Sequence, residues 1–160
     1  MFYAEFMTLG AIISPNDAML VIRGLRTLEL RMKRCHESAM EVTSYLESHP
    51  KVEKVNYPFS PNSPQFDLAK KQMDGAGGLF SLHLKTDSFE KAELFFHQLE
   101  RFSLAVSWGG HESLVLPFCA FYNVPGKENT NLPFNLVRFY IGLEDPKWLI
   151  EDLKQALEVI

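Results

Sequence analysis

Hydrophobic positions recur at helical spacing over the first third of the chain. Leu25, Leu28, Met32, Cys35, Ala39, Val42 and Leu46 step by three and four, which places them on one stripe of a helix. Ser14-Pro15-Asn16-Asp17 gives small polar residues ahead of that run, a helix start, and His49-Pro50 gives its end. One long amphipathic helix is therefore predicted over 16–48. Gly24 weakens it locally, but the stripe continues past Gly24, so packing is expected to hold the helix together there.

The period then changes to two. Residues 79–85 alternate, with Phe80, Leu82 and Leu84 on one face and Ser81, His83 and Lys85 on the other. Residues 52–57, 103–107 and 136–142 also read as strands. In the last of these, Val137, Phe139 and Ile141 take the core face, leaving Leu136, Arg138 and Tyr140 on the opposite one. A short helix is predicted over 65–73. Ser88 caps another, with Ala92, Phe95, Phe96 and Leu99 inward, and Asp145-Pro146 opens a final one that buries Leu149, Ile150, Leu153, Ala156, Leu157 and Ile160. Residues 58–64 hold three prolines and read as a loop, Gly75-Ala76-Gly77-Gly78 as a turn, and 114–133 as a long connection. The order predicts an α+β fold. It has a small, mostly antiparallel sheet of three to four strands with helices on one face, preceded by the long helix.

The 160 residues, 46% of them hydrophobic, suffice for one ordinary domain, 1–160. The net charge of -4 and the lack of a basic stripe argue against nucleic acid as a partner. No apolar run reaches the roughly 18 residues of a membrane span, so no membrane partner is expected. Cys35 and Cys119 fit neither a metal spacing nor a disulfide framework, and a cytoplasmic location is the natural expectation. The apolar start, 1–13, lacks the basic flank of a signal peptide. It begins as though inside a helix, which suggests upstream material or a second subunit covering Phe2, Tyr3 and Phe6.

Two segments carry the candidate chemistry: Ser107-Trp108-Gly109-Gly110-His111-Glu112-Ser113-Leu114 and Leu136-Val137-Arg138-Phe139-Tyr140-Ile141-Gly142-Leu143-Glu144-Asp145. Arg138 puts a guanidinium inside an apolar strand, where it needs an anion. Spacing alone leaves three readings: a surface arginine, a partner for an internal acid such as Glu112, or a clamp for a ligand carboxylate, which its planar fork suits. His111-Glu112-Ser113 is not a catalytic triad, because consecutive residues cannot meet in that geometry; Glu112 reads as a structural hydrogen-bond partner near the glycine turn. His83, His97 and His111 lack metal-ligand spacing, and no metal is expected. Arg23, Arg26 and Arg31 read largely as a solvated or interdomain face.

Five stretches in order resemble the C-terminal domain of the trans-sulfuration enzymes, the pyridoxal-phosphate (PLP) enzymes of cysteine and methionine metabolism. They are Ser14-Pro15-Asn16-Asp17-Ala18, Arg23-Gly24-Leu25-Arg26-Thr27-Leu28, Arg31-Met32, and the two segments above. The resemblance implies the C-terminal domain of a fold-type I PLP enzyme. In it Arg138 binds the substrate's α-carboxylate, with Ser107 and Trp108 at the mouth of the active site. Tyr122, Asn123 and Tyr140 are further candidates for its lining. Tryptophan after that serine resembles cystathionine β-lyase. The implied activity is therefore α,β-elimination of cystathionine-like amino acids to homocysteine, pyruvate and ammonia. The alternatives are γ-synthase or γ-lyase chemistry, or a stand-alone binding or dimerisation domain.

The family's cofactor lysine follows a Ser-x-Thr pair. Ser48/Lys51 and Ser88/Lys91 lack that threonine, and Gly75 to Gly78 precedes a strand rather than the helix a phosphate cradle needs. The resemblance thus implies a chain without the PLP-lysine domain, whose partners are an upstream PLP domain, the amino-acid substrate and other copies in a homo-oligomer. PLP belongs to the full-length enzyme. No catalytic or cofactor-binding residue is assigned in this chain, which is expected to be inactive and cofactor-free alone.

Overall fold

The computed structural model describes residues 12–122 and 132–160. The chain divides into two compact units, Met1–Arg31 and Met32–Ile160. In the first, helix α1 (Pro15–Leu25) is capped by Ser14, whose Oγ accepts from the Asp17 amide at 3.1 Å and donates to the Asp17 carboxylate at 2.7 Å. Helix α2 (Leu28–Glu47) follows. The single helix predicted over 16–48 is thus two, broken at Arg26–Thr27. The Gly24 carbonyl accepts from the Thr27 amide at 3.3 Å and from the Arg31 guanidinium at 2.9 Å, a tightened turn in place of a regular one. Leu25, Leu28 and Met32 are exposed, and among the described residues burial of the stripe begins at Cys35.

The second unit continues with β1 (Val52–Asn56), α3 (Phe66–Gln72), β2 (Leu79–Leu84), α4 (Phe89–Gln98), β3 (Ser103–Leu104), β4 (Leu114–Pro117), a 3-10 turn (Phe118–Phe121), β5 (Leu136–Tyr140), α5 (Pro146–Ala156) and a closing 3-10 turn (Leu157–Val159). The sheet order is β1-β2-β5-β4-β3, antiparallel except between β3 and β4. Phe80, Leu82 and Leu84 of β2, Val115 of β4, and Val137 and Phe139 of β5 share one core. They pack with Ala39, Val42 and Leu46 of α2, Ala92 and Phe95 of α4, and Leu149 and Leu153 of α5. The alternation read in β2 and β5 holds: side chains facing this core are buried, and Ser81, His83, Leu136 and Arg138 between them are only partly so.

The sheet has five strands rather than three to four, because Leu114–Pro117 is a strand and not part of a loop. Its four residues are all buried, between β5 and β3. A short apolar run without alternation carries no period that marks it as a strand. Conversely, only Ser103–Leu104 of the strand expected over 103–107 is strand. The ladder reaches Ala105, whose amide donates to the Val115 carbonyl at 3.2 Å, and the next two carbonyls turn toward Arg138 instead. The caps at Ser88 and Asp145 are as expected, accepting from the amides of Lys91 and Lys147.

Candidate functional site

Arg138 occupies the middle of β5, paired with Ser81 on β2 and Leu116 on β4. It points away from the helices, as the period of two requires. Its Nη2 donates to the carbonyl of Val106 and, at 3.5 Å, to that of Ser107. Among the described residues it makes no ion pair, with Glu112 or any other carboxylate. A cavity of about 330 Å³ opens beside it, lined by Asn56, Leu79, Ser81, Phe118 and Leu136. One guanidinium nitrogen resting on two neutral carbonyls is an exchangeable arrangement, since a carboxylate adds a full opposite charge and can take two N–H groups at once.

The two sequence segments are fastened to each other at their far ends. Ser113 is fully buried; its amide and hydroxyl donate to the two oxygens of Glu144 at 2.7 and 2.8 Å, and its hydroxyl accepts from the Gly142 amide at 2.9 Å. The Leu143 amide donates to the His111 carbonyl at 2.8 Å. Gly142 permits this approach, because a Cβ there would lie 2.2 Å from that carbonyl oxygen. Tyr140 donates to the Gly110 carbonyl at 3.1 Å, and Gly109 turns the loop at φ +86°. Helix α2 supports the junction from the other side: Arg34 donates to the Glu144 carbonyl at 3.1 Å, and the Cys35 thiol to the Gly142 carbonyl at 3.5 Å.

Ser107 and Trp108 lie on the exposed loop that meets Arg138, Trp108 being 62% exposed, so three expected site residues form one neighbourhood. Tyr140 sits behind the loop, bonded to it. Tyr122 instead packs its ring against Phe134 at 5.6 Å and Phe89 at 6.2 Å, and Asn123 lies outside the described residues, as do Phe2, Tyr3 and Phe6. Glu112 accepts from the His111 amide and pairs with its ring at 3.1 Å, a local bracket beside the glycine turn. Ser113 does not meet His111, its hydroxyl being occupied by Glu144 and Gly142. Among the described residues no group of three or more His, Cys, Asp or Glu could hold a metal. Ser113, Glu144 and the α2 contacts escaped sequence reasoning. The one available signal was a serine and an acid inside the two informative segments.

A family model for "Cys/Met metabolism PLP-dependent enzyme" matches residues 2–158. The chain belongs to that family. It is 44% identical over 155 residues to a cystathionine gamma-lyase of Rattus norvegicus, covering 94% of this chain and 39% of that protein. It is 40% identical over 156 residues to an L-alanine/L-glutamate racemase of Wolbachia pipientis, covering 97% and 39%. A crystal structure described as an O-acetylhomoserine (thiol)-lyase of Campylobacter jejuni, with N'-pyridoxyl-lysine-5'-monophosphate in its chain, superposes with a TM-score of 0.80 at 32% identity, covering 97% of this chain and 35% of that one. The chain thus spans about two fifths of the length of these relatives. The fold is that of a fold-type I PLP enzyme.

The two lysines that follow a serine in the sequence are both engaged by carbonyls. Lys51 donates to the carbonyls of Leu157 and Glu158 at 3.0 and 2.9 Å, and Lys91 to that of Ile160 at 2.9 Å, all at the end of the last helix. Ser88 caps α4, and the Gly75–Gly78 stretch leads into β2 rather than a helix. Both Ser-x-x-Lys lysines are thus engaged by backbone carbonyls, and the glycine stretch opens a strand.

Proposed function

We propose that this chain is the substrate-carboxylate domain of a PLP-dependent C–S lyase, with Arg138 holding the α-carboxylate of an amino-acid substrate. The observation that carries this is a mid-strand guanidinium with no carboxylate partner among the described residues, facing a cavity and resting on two displaceable loop carbonyls. Bidentate pairing there fixes the plane of the carboxylate and hence the direction of the Cα–H bond. Ser107 and Trp108 form the adjoining wall. PLP, when bound in the full enzyme, supplies the electron sink for that bond.

The relatives' names, a gamma-lyase, a racemase and a thiol-lyase, have an α-amino-acid substrate in common, which supports the carboxylate role whatever bond is broken. Cleavage of a cystathionine-like thioether is the reading we adopt. The identity to gamma-lyases supports breaking the Cγ–S bond; Trp108 after Ser107 supports β-elimination. Product analysis separates them: cysteine, 2-oxobutyrate and ammonia for the first, homocysteine, pyruvate and ammonia for the second. A stand-alone binding domain is the reading left if the PLP-loaded enzyme turns over no amino acid. The two free, buried cysteines support a cytoplasmic setting.

Arg138→Lys tests the central assignment in the PLP-loaded enzyme. A point charge does not reproduce the fork, so KM is expected to rise on the order of 10- to 100-fold. Unchanged kinetics would overturn the assignment.

A further inference from the structure

On the helix side of the sheet, the face opposite Arg138, a cavity of about 460 Å³ lies between helix α4 and the β3–β4 edge. Phe89, Glu93 and Phe96 line it from one stripe of α4, at the spacing of four and three that stacks side chains along a helix. Phe102, Val115 and Cys119 line it from the other side, and all three are buried. Each ring in the wall packs against a further ring: Phe89 against Phe134 at 6.0 Å, Phe96 against Phe95 at 5.3 Å and Phe102 against Phe139 at 5.1 Å. The walls are therefore formed before any ligand enters, and the volume falls within the roughly 300–1,000 Å³ of small-molecule sites. Glu93 is the one acid among the described lining residues. It is exposed and makes no ion pair among the described residues. Burial, and after it the Glu93 carboxylate, push the Cys119 thiol pKa up, so that carboxylate stands within electrostatic reach of the cavity wall.

We propose that this cavity binds a small arylalkylamine, its ring among Phe96, Phe102 and Val115 and its ammonium at the mouth beside the Glu93 carboxylate. The aromatic walls select an aromatic occupant, because offset and edge-to-face ring contacts add to the burial of apolar area. The head group follows from Glu93. An ammonium gains a charge-assisted hydrogen bond there, a hydroxyl gains only a weaker one, and a carboxylate meets a like charge. Phe89, one turn ahead of Glu93 on the same stripe, offers a ring to the same cation. The site lies on the other face of the sheet from Arg138 and stands independently of the reaction proposed above.

The test is an NMR titration of the methyl-13C-labelled 160-residue chain at pH 8 with phenethylamine, phenethyl alcohol and hydrocinnamate. At that pH an alkylamine is protonated and an ordinary imidazole neutral, which matters because His97 also lines the cavity. The methyl signals of Leu104 and Val115, in the lining, are expected to move with the amine, and those of Leu136, beside Arg138, to stay. The amine is expected to bind about five-fold more tightly than the alcohol, and hydrocinnamate more weakly than either. Glu93→Gln, at an exposed position that the fold tolerates, is expected to abolish the preference for the amine while leaving the affinity for the alcohol as it was. Equal affinities for the three probes, or a preference for the amine that survives Glu93→Gln, overturns the amine site. Leu104 and Val115 signals unmoved by the amine, or Leu136 moving in their place, overturn it as well.

Discussion

Arg138 is a charged residue whose direction is set by its strand neighbours and not by a carboxylate partner among the described residues. Its strand position is fixed by Val137 and Phe139, which are fully buried and force it outward. Its carbonyl partners belong to Val106 and Ser107, both exposed, and they are neutral acceptors. Asp152 is the opposite case. It is 2% exposed, and its carboxylate accepts from the amides of Glu100 and Arg101 and from Gln155. Asp152→Ala leaves those amides unpaired and is expected to lower stability by about 2–4 kcal/mol, read as a fall in the urea midpoint at unchanged m-value. Cys119 is likewise buried. Burial, and secondarily the Glu93 carboxylate, push its thiol pKa up, so it stays protonated at neutral pH. Labelling of Cys119 by a thiol reagent is expected to be slow in the folded chain and to accelerate only on unfolding. Fast labelling under native conditions would contradict its placement.

At the scale of elements, the sheet is set by where its strands can hydrogen-bond and the helices by their caps. Ser88→Ala removes the acceptor for the Lys91 amide and is expected to destabilise by about 1 kcal/mol. Gly142→Ala is the sharper test. The added Cβ meets the His111 carbonyl oxygen at 2.2 Å and the Glu112 backbone at 2.7 Å, and neither is a flexible side-chain end. The Leu143–His111 bond and the Ser113–Glu144 clamp must then shift, with an expected loss of at least about 3 kcal/mol by denaturation. A wild-type midpoint for this variant would mean that the two segments are not fastened as described.

For the whole molecule, the exposed apolar surface is the dominant fact. Helix α1 buries none of its residues, and Met19, Leu20, Val21, Ile22 and Leu25 are each more than half exposed. Surfaces of this kind serve partners or self-association. The chain is expected to assemble with rising concentration in sedimentation experiments, and Leu20→Glu with Ile22→Lys to weaken that assembly; a monomer throughout would count against it. The cofactor expectation also belongs to this scale. With Lys51 and Lys91 engaged by carbonyls, the chain mixed with PLP is expected to give no absorbance band that borohydride discharges.

The periodicity of the sequence determined the strands β2 and β5, the helices α4 and α5 and the outward direction of Arg138, and its residue types and cap words also marked β1, α3 and the caps. These are local properties: a period of two or 3.6 and a capping residue act within a few positions. The sequence also carried the family, because five separate words kept their order. Only the tertiary structure decided that Leu114–Pro117 is a strand, since an apolar run without alternation takes its identity from its neighbours β3 and β5. It alone decided that the helix over 16–48 breaks, because burial of the stripe starts only at Cys35. And it alone joined Ser113 to Glu144 and lined up Asn56, Ser81 and Arg138. Those residues are far apart along the chain, and strand register, which no local pattern encodes, brings them together.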